Sequence, residues 1–168
     1  MVVTETDRLY LRRFTPEDAK AVFLLNSIPE ILSHLPGSPL RSVEEARQVI
    51  INIALPAYAK FDYGRWAVIH KKDKRIIGFC GPKYLSRYNE VELAFRYLPE
   101  YWGQGYATEA AIAALNVCQE YHLAGLIALV LPGNKAYEKV LHKIKMHEIK
   151  RDHYLGYRVK VFHRLFDH

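Results

Sequence analysis

The sequence has few of the residues on which metal sites, disulfides and membrane spans depend. Its 168 residues include two cysteines, Cys80 and Cys118, and eight histidines without any CxxC, HxH or HExxH spacing. We therefore expect no metal site and two reduced, buried thiols. The longest apolar run, residues 123–132, is too short to cross a bilayer, and no apolar leader begins the sequence. These absences predict a soluble, cytoplasmic protein without a membrane partner.

The net charge of the chain and its distribution indicate which class of ligand it binds. The chain has 24 lysines and arginines against 18 aspartates and glutamates, a net charge of +6. A mild basic excess favours an acidic ligand such as a nucleotide, and nucleic acid is the rival interpretation. The basic residues are scattered, however, and aromatic residues do not alternate with them along one strand. We therefore expect no direct nucleic-acid partner.

The order of apolar patterns predicts an α/β fold in one domain, residues 1–168. Three alternating segments with short connections predict an antiparallel meander, and a later apolar run predicts a buried central strand. The segments between these strands have apolar residues at helical spacing, which predicts helices. Together the patterns predict a mixed sheet of about seven strands connected by helices. The expected strands are 8–14, 65–70, 75–84, 89–98, 126–131, 147–151 and 157–165. The expected helices are 15–26, 29–33, 42–54, 107–122 and 134–145.

The segment YWGQGYATEA, residues 101–110, is the most informative part of the chain. It follows a strand-like run and opens a long amphipathic stretch, so a glycine-rich turn joins a strand to a helix N-terminus. The first N–H groups of a helix have no partner within the helix, and the helix dipole favours an anion there. Gly103 and Gly105 allow positive φ and a close approach of the backbone. The segment predicts a phosphate-bearing ligand, with a simple tight turn as the alternative.

Three blocks of sequence resemble the GNAT superfamily of acetyl-CoA-dependent N-acetyltransferases, in the form of its RimJ/RimL-type branch. They are TDRLYLR at 6–12, YWGQGYATEA at 101–110, and VLPGN at 130–134 followed by Val140, Leu141 and Lys143. The resemblance covers nearly the whole chain. It implies a mostly antiparallel, seven-stranded mixed sheet with a splayed central strand pair, flanked by helices.

The resemblance also implies how acetyl-CoA, the donor substrate, is bound. The pantetheine arm is expected in the slot between the splayed strands, where it pairs with the backbone of the strand before the loop. The pyrophosphate is expected on N–H groups of the loop, and a basic helix face is expected near the phosphates. The cofactor-binding residues implied are Phe95, Tyr97, Gly103, Gln104, Gly105, Tyr106, Ala107, Thr108, Asn134 and Lys139. The alternatives are that Asn134 is only a helix N-cap and that Lys139 lies on a solvated helix face.

Direct transfer to an amine needs a general base and a proton donor for the thiolate. Glu92 is the candidate base, with a surface ion pair to Arg96 as the alternative role. Many relatives have a tyrosine seven residues after the motif asparagine, but this chain has Leu141 there. Tyr137, three residues after Asn134, is the candidate acid, because a phenol is a proton donor. Its alternative role is packing in the core or against the donor.

The acceptor side departs most from the family pattern. Lys145 stands where the family usually has the glycine that ends the helix, so we expect either strain or a different helix end. Residues 34–37 and 56–64, the latter with an aromatic cluster, are expected as loops over the pocket mouth. The acceptor is expected to be a protein N-terminus or a small amine, bound by a monomer or homodimer. A catalytically weak acyl-CoA-binding sensor is the alternative function.

Overall fold

The computed structural model describes residues 1–35 and 37–167, and the strands of this part form one mixed sheet. The expected mostly antiparallel α/β fold is confirmed, but the sheet has eight strands rather than seven, in the order β1-β2-β3-β4-β5-β6-β8-β7. The extra strand is β1, a four-residue edge strand whose sequence, VVTE, has no clear alternation. The strands are β1 Val2–Glu5, β2 Leu9–Arg13, β3 Trp66–His70, β4 Arg75–Leu85, β5 Glu90–Tyr97, β6 Gly125–Val130, β7 His147–Tyr154 and β8 Tyr157–Leu165.

Within residues 1–35 and 37–167, six α-helices occupy the connections, and all but the fourth lie close to the expected positions. A 3₁₀ turn, Pro16–Asp18, leads into the first helix, and another, Pro99–Tyr101, follows β5. The helices are α1 Ala19–Leu25, α2 Pro29–Leu32, α3 Val43–Val49, α4 Leu55–Phe61, α5 Tyr106–Gln119 and α6 Lys135–Lys143. Of the expected loop at 34–37, Pro36 lies outside the described residues.

The helix that begins at Ser42 is longer than its sequence pattern predicts. Ser42 accepts a hydrogen bond from the backbone N–H of Glu45, as a capping residue should. The expected end near residue 54 is wrong, because a π turn, Ile50–Ala54, connects α3 directly to α4. A wide turn before Pro56 accommodates a residue that has no N–H and whose ring crowds the preceding carbonyls. Residues 56–61 are therefore helical rather than part of a loop over a pocket.

Helices cover the two faces of the sheet unequally. α5 packs its alanines against the apolar side chains of β5, including Val91, Leu93 and Phe95. α1 and α3 cover Ala67 and Ile69 on the opposite face, toward one edge. The centre of that second face, along β4 and β5, carries polar side chains that are only partly buried.

The two central strands separate, as the resemblance implies. β5 and β6 run parallel and share one register pair, Glu92 with Ile127, whereas β4 and β5 pair along their whole length. β5 therefore leaves its partner after Glu92. The gap opens a slot beside Phe95 and Tyr97, next to the loop that leads into α5.

Lys145 ends α6 in the left-handed conformation that the family normally assigns to glycine. Its φ is 63°, its N–H donates to the carbonyl of His142 at 3.0 Å, and the N–H of Met146 donates to the carbonyl of Leu141 at 2.9 Å. This pair of bonds is the Schellman arrangement. The helix end is therefore kept, and the lysine adopts a backbone conformation that is unfavourable for a residue with a Cβ.

We expect Lys145→Gly to stabilise the protein by roughly 0.5 kcal/mol, since it removes about 1 kcal/mol of strain but adds flexibility to the unfolded chain. The midpoint of urea unfolding measures the change. Lys143→Gly is the matched control, because Lys143 is helical and the same substitution there should destabilise. A loss of stability in both variants would contradict the proposed strain at Lys145.

The two cysteines lie in the core of the fold. Cys80 and Cys118 are buried and unbridged. Burial raises the pKa of both thiols, that of Cys118 to about 12, so neither is a nucleophile at neutral pH.

Within residues 1–35 and 37–167, no helix has the length and apolar content to cross a membrane. The same residues contain no cluster of His, Cys, Asp or Glu able to hold a metal ion.

Candidate active site

A cleft of about 620 Å³ lies along the slot between β5 and β6. Its walls are the end of β5, the loop before α5, the N-terminal half of α6 and the segment after α2. Ile31 of α2 lines it together with His34 and Leu35 of the segment after α2. The expectation that His34 and Leu35 lie over the pocket is therefore confirmed.

The loop at the mouth of the cleft has the backbone geometry of an anion site. Gly103 and Gly105 have φ values of 73° and 84°, a region that glycine adopts without strain. Gly105 is the N-cap of α5, and the first helical hydrogen bond runs from Glu109 N–H to its carbonyl at 3.1 Å. The N–H groups of residues 106–108 precede that bond, so they have no partner within the helix.

Arg8, the residue just before β2, supports this loop. Its Nε donates to Glu109 at 2.8 Å, its Nη1 donates to the carbonyl of Gln104 at 3.0 Å, and its guanidinium lies 4.2 Å from the centre of the Tyr106 ring. Thr6 Oγ1 donates to the same Glu109 carboxylate at 2.5 Å. The first and second sequence blocks therefore meet here, and the first stabilises the loop formed by the second.

The Tyr106 side chain points into the protein, whereas its backbone belongs to the loop. Its hydroxyl lies 2.9 Å from Nε2 of the buried His70. His70 Nδ1 lies 3.1 Å from the backbone nitrogen of Asp73 and 3.3 Å from the Asp73 carboxylate in the β3–β4 turn. Tyr106 therefore anchors the start of α5 to the β3–β4 turn.

Tyr137 and Phe95 meet inside the slot. Their rings stack with centres 4.0 Å apart and planes within 10°. The N–H of Phe95 donates to the Tyr137 hydroxyl over 3.3 Å, which shows that this N–H points into the slot. Burial, followed by the negative charge of Glu92, raises the pKa of Tyr137 above its ordinary value of 10.0. The phenol therefore keeps its proton at neutral pH.

Trp102 lies at the C-terminal end of β5, beside Tyr97. Its Nε1 donates to the carbonyl of Tyr97 at 2.8 Å, and its ring remains 44% exposed at the cleft. The Tyr97 hydroxyl, in contrast, is buried without a hydrogen-bond partner. A ligand that pairs with the Tyr97 backbone shares that carbonyl with the indole or displaces it.

Asn134 and the basic face of α6 form the opposite wall. Asn134 Oδ1 accepts a bond from the N–H of Tyr137 at 3.4 Å, and its Nδ2 donates to the carbonyl of His34 at 3.4 Å. It is thus an N-cap that also links α6 to the segment after α2. Lys139 lines the cleft together with Lys135 and Lys143, each four residues from Lys139 on one helix face.

Glu92 lies beside the cleft rather than in its lining. It forms an ion pair with Arg65, Nη2 to Oε1 at 2.5 Å, and the two side chains are 13% and 21% exposed. Its expected alternative partner, Arg96, instead donates to Asn26 Oδ1 and to the carbonyl of Leu25. The expected pairing of Glu92 with Arg96 is therefore wrong.

The structure brings most of the predicted residues together. The cleft is lined by Phe95, Tyr97, Gly103, Gly105, Tyr106, Ala107, Thr108, Asn134, Tyr137 and Lys139. Gln104 does not line it, because its side chain donates to the carbonyl of Glu100 at 3.0 Å within its own turn. Pattern analysis gave no role to Arg8, Arg65 or Lys135, since isolated basic residues have no distinguishing spacing.

Comparison with known proteins identifies the family. The profile described as "Acetyltransferase (GNAT) domain" matches residues 8–147. The uncharacterized protein YkkB of Bacillus subtilis is 30% identical over 86% of this chain and 85% of its own length. The uncharacterized N-acetyltransferase YoaA of the same organism is 28% identical over 84% of this chain and 81% of its own length.

Solved structures share the fold at low sequence identity. A GNAT-family acetyltransferase from Bacillus anthracis superposes with a TM-score of 0.79 at 23% identity, covering 98% of each chain. Spermidine N-acetyltransferase from Vibrio cholerae, solved with CoA and spermine, gives 0.78 at 19% identity over 95% of this chain and 96% of that one. With the profile match over most of the sequence, these findings show that the chain belongs to the GNAT acetyltransferase family and is an acyltransferase of the N-acetyltransferase type.

Proposed function

We propose that this enzyme transfers the acetyl group of acetyl-CoA directly to a primary amine in a ternary complex, as a member of the RimJ/RimL-type branch. The observation that carries the proposal is the slot in which the Phe95 N–H and the Tyr137 hydroxyl meet, next to the glycine loop. The acceptor is a small amine or a protein N-terminus. The chain acts as a monomer or a homodimer.

The donor lies along the cleft with its pyrophosphate at the glycine loop. N–H groups from Gly103 to Ala107, with Thr108 at the helix start, hold the phosphate oxygens. The pantetheine arm follows the β5 backbone at Phe95 and Tyr97. Asn134 contacts it from α6, and Lys139 lies near the phosphates.

The transfer step requires three groups at the thioester. The neutral amine attacks the carbonyl carbon, a C–N bond forms, and the Phe95 N–H stabilises the developing oxyanion. The C–S bond then breaks, and the departing thiolate takes the proton of Tyr137. Glu92 accepts the proton that the amine loses, directly or through water. Proton transfer from Glu92 back to Tyr137 through solvent completes the cycle.

Gly105→Ala tests the donor site. We expect it to raise KM for acetyl-CoA by about ten-fold, because a strained residue at φ 84° shifts N–H groups that bind a charged phosphate. The added Cβ also lies 3.4 Å from Arg8 Nη2, so the support of the loop is affected. Release of the CoA thiol from acetyl-CoA in the presence of an amine panel gives the rate, and the two buried cysteines contribute no background in the folded enzyme.

Gly156→Ala is the matched control. Gly156 has a φ of 82° in the β7–β8 turn, its added Cβ meets no atom within 4 Å, and it is remote from the cleft. Both variants should lose about 1 kcal/mol of stability, but only Gly105→Ala should change KM. Equal KM values in the two variants would refute the donor site. Protection by CoA without thiol release toward any amine would favour a sensor.

A further inference from the structure

One face of the central strands has more positive than negative charge. Lys83 lies opposite Glu92, and Phe79 lies opposite Arg96, in the antiparallel β4–β5 pair. Directly opposite residues point to the same side, so these side chains share the face that turns away from α5. Arg65 reaches Glu92 on this face from the start of β3. We call Arg65, Lys83, Glu92 and Arg96 the acceptor face. These three cations and one carboxylate sum to +2, and the exposed Glu90, two residues before Glu92 on the same side of β5, lowers the sum to +1.

Two of these cations have no carboxylate partner. Within residues 1–35 and 37–167, neither Lys83 nor Arg96 forms an ion pair. Among the described residues, Arg96 bonds to the neutral oxygens of Leu25 and Asn26, and its buried Nε has no partner there. A half-buried cation without a counter-ion is unfavourable, because desolvation is not offset by pairing.

The cations also repel one another. Burial and the charge of Arg65 lower the pKa of Lys83, against the opposing effect of Glu92. Burial also lowers the pKa of Arg96 to about 10, and Arg65 contributes in the same direction. With its pKa at about 10, Arg96 still carries its charge at neutral pH. Glu92 is already engaged by Arg65, and Glu90 is exposed opposite Leu85 rather than opposite either unpaired cation, so an anion from outside is what Lys83 and Arg96 lack.

The acceptor face borders the place where acetyl transfer is proposed. Arg96 adjoins Phe95, whose N–H points into the slot, and itself lines the cleft. Glu92, the proposed base, lies opposite Lys83 on the same face. Lys83 is thus directly across from Glu92, and Arg96 lies four residues further along β5 on the same side. A polycationic acceptor would meet two unpaired positive charges there.

We propose that the acceptor is a primary amine that also carries a carboxylate, and that Lys83 and Arg96 receive this carboxylate. The inference rests on the proposed acetyl transfer and adds the chemical class of its substrate. Charge complementarity of this kind selects among amines of similar size, because the wrong partner leaves charges unpaired. Free amino acids and peptides with an acidic N-terminal residue both present this chemistry.

The test compares acceptors that differ only in charge. Thiol release from acetyl-CoA is measured with amino acids, their carboxamide counterparts, short peptides that begin with an acidic residue or its amide, and spermidine. In the wild type we expect kcat/KM for a carboxylate to exceed that for its carboxamide by on the order of ten-fold. The preference should weaken at high salt, because half-exposed charges are screened.

Variants assign the preference to the two cations. Lys83→Gln should reduce the ratio of carboxylate to carboxamide kcat/KM to near unity, whereas Lys83→Arg should retain it. Arg96→Gln should also reduce the ratio, and Lys72→Gln, on the exposed β3–β4 turn, should leave it unchanged. If the acceptor is a free amino acid, the amino-acid pair should show the preference for the carboxylate. If it is a peptide with an acidic first residue, the peptide pair should show it.

The outcomes separate this inference from the function on which it rests. Thiol release that favours carboxamides or spermidine, or a preference that survives Lys83→Gln and Arg96→Gln, would overturn the inference and leave acetyl transfer intact. Absence of thiol release with every amine would instead refute acetyl transfer, and the inferred substrate class with it.

Discussion

Tyr137→Phe is expected to lower kcat by about a hundred-fold, the usual contribution of a positioned proton donor. KM for acetyl-CoA should not rise, because the ring that stacks on Phe95 is retained and the Phe95 N–H is released for the thioester carbonyl. In the free enzyme this N–H loses its partner, which costs roughly 1–3 kcal/mol of stability. Acetyl-CoA, which supplies that carbonyl, should therefore raise the unfolding temperature more in the variant than in the wild type.

The pH dependence of the rate also tests Tyr137 as the proton donor. Burial raises the pKa of Tyr137, so its proton is present below the raised value and is lost only above it. The wild-type rate should therefore show no decline from ionisation of Tyr137 below about pH 10. Tyr121→Phe is the matched control, since the Tyr121 hydroxyl donates to Asp62 far from the cleft. Full turnover by Tyr137→Phe would remove Tyr137 from the mechanism.

Glu92→Gln is expected to reduce kcat by about a hundred-fold with a basic amine, because the carboxylate that takes the proton is lost. The side chain keeps its size, and KM for acetyl-CoA should change little because Glu92 does not line the cleft. The defect should shrink with weakly basic amines, which arrive already neutral. A plot of rate against amine basicity in both enzymes measures this difference.

The control for Glu92 is Glu90→Gln, an exposed carboxylate on the same strand that pairs opposite Leu85. It should behave as the wild type. Removing the Glu92 charge also leaves Arg65 without its partner, so unfolding should be measured alongside the rate. If Glu92→Gln lowered the rate equally for strongly and weakly basic amines, Glu92 would be a structural residue rather than the base.

Most of the secondary structure could be predicted from the sequence because it depends on local patterns. Alternation gave β2 and β5, strand-like runs with a short connection gave β3 and β4, and helical spacing of alanines gave α5. The prediction failed where the deciding interaction is not local. β1 is a strand only because β2 offers it an edge, and the π turn lets the helix continue through Pro56.

The position of the site followed from the sequence, but the contacts between its residues did not. Gly103, Gly105 and Asn134 occur in blocks with fixed spacing, which made them recognisable. Arg65 is 27 residues from the Glu92 that it pairs with. The bond from Trp102 to Tyr97 depends on how the loop folds back on its strand. Such contacts have no sequence pattern, because the side chains meet only after the sheet has formed.

The sequence alone determined the fold class and the glycine loop, because each depends on short-range spacing and on glycine's access to positive φ. Only the tertiary structure decided what surrounds the transfer step. It placed the Tyr137 hydroxyl on the Phe95 N–H, paired Glu92 with Arg65, and left Lys83 and Arg96 without a carboxylate. Electrostatic energy depends on distances in space, and those distances are set by cross-strand register rather than by separation along the chain.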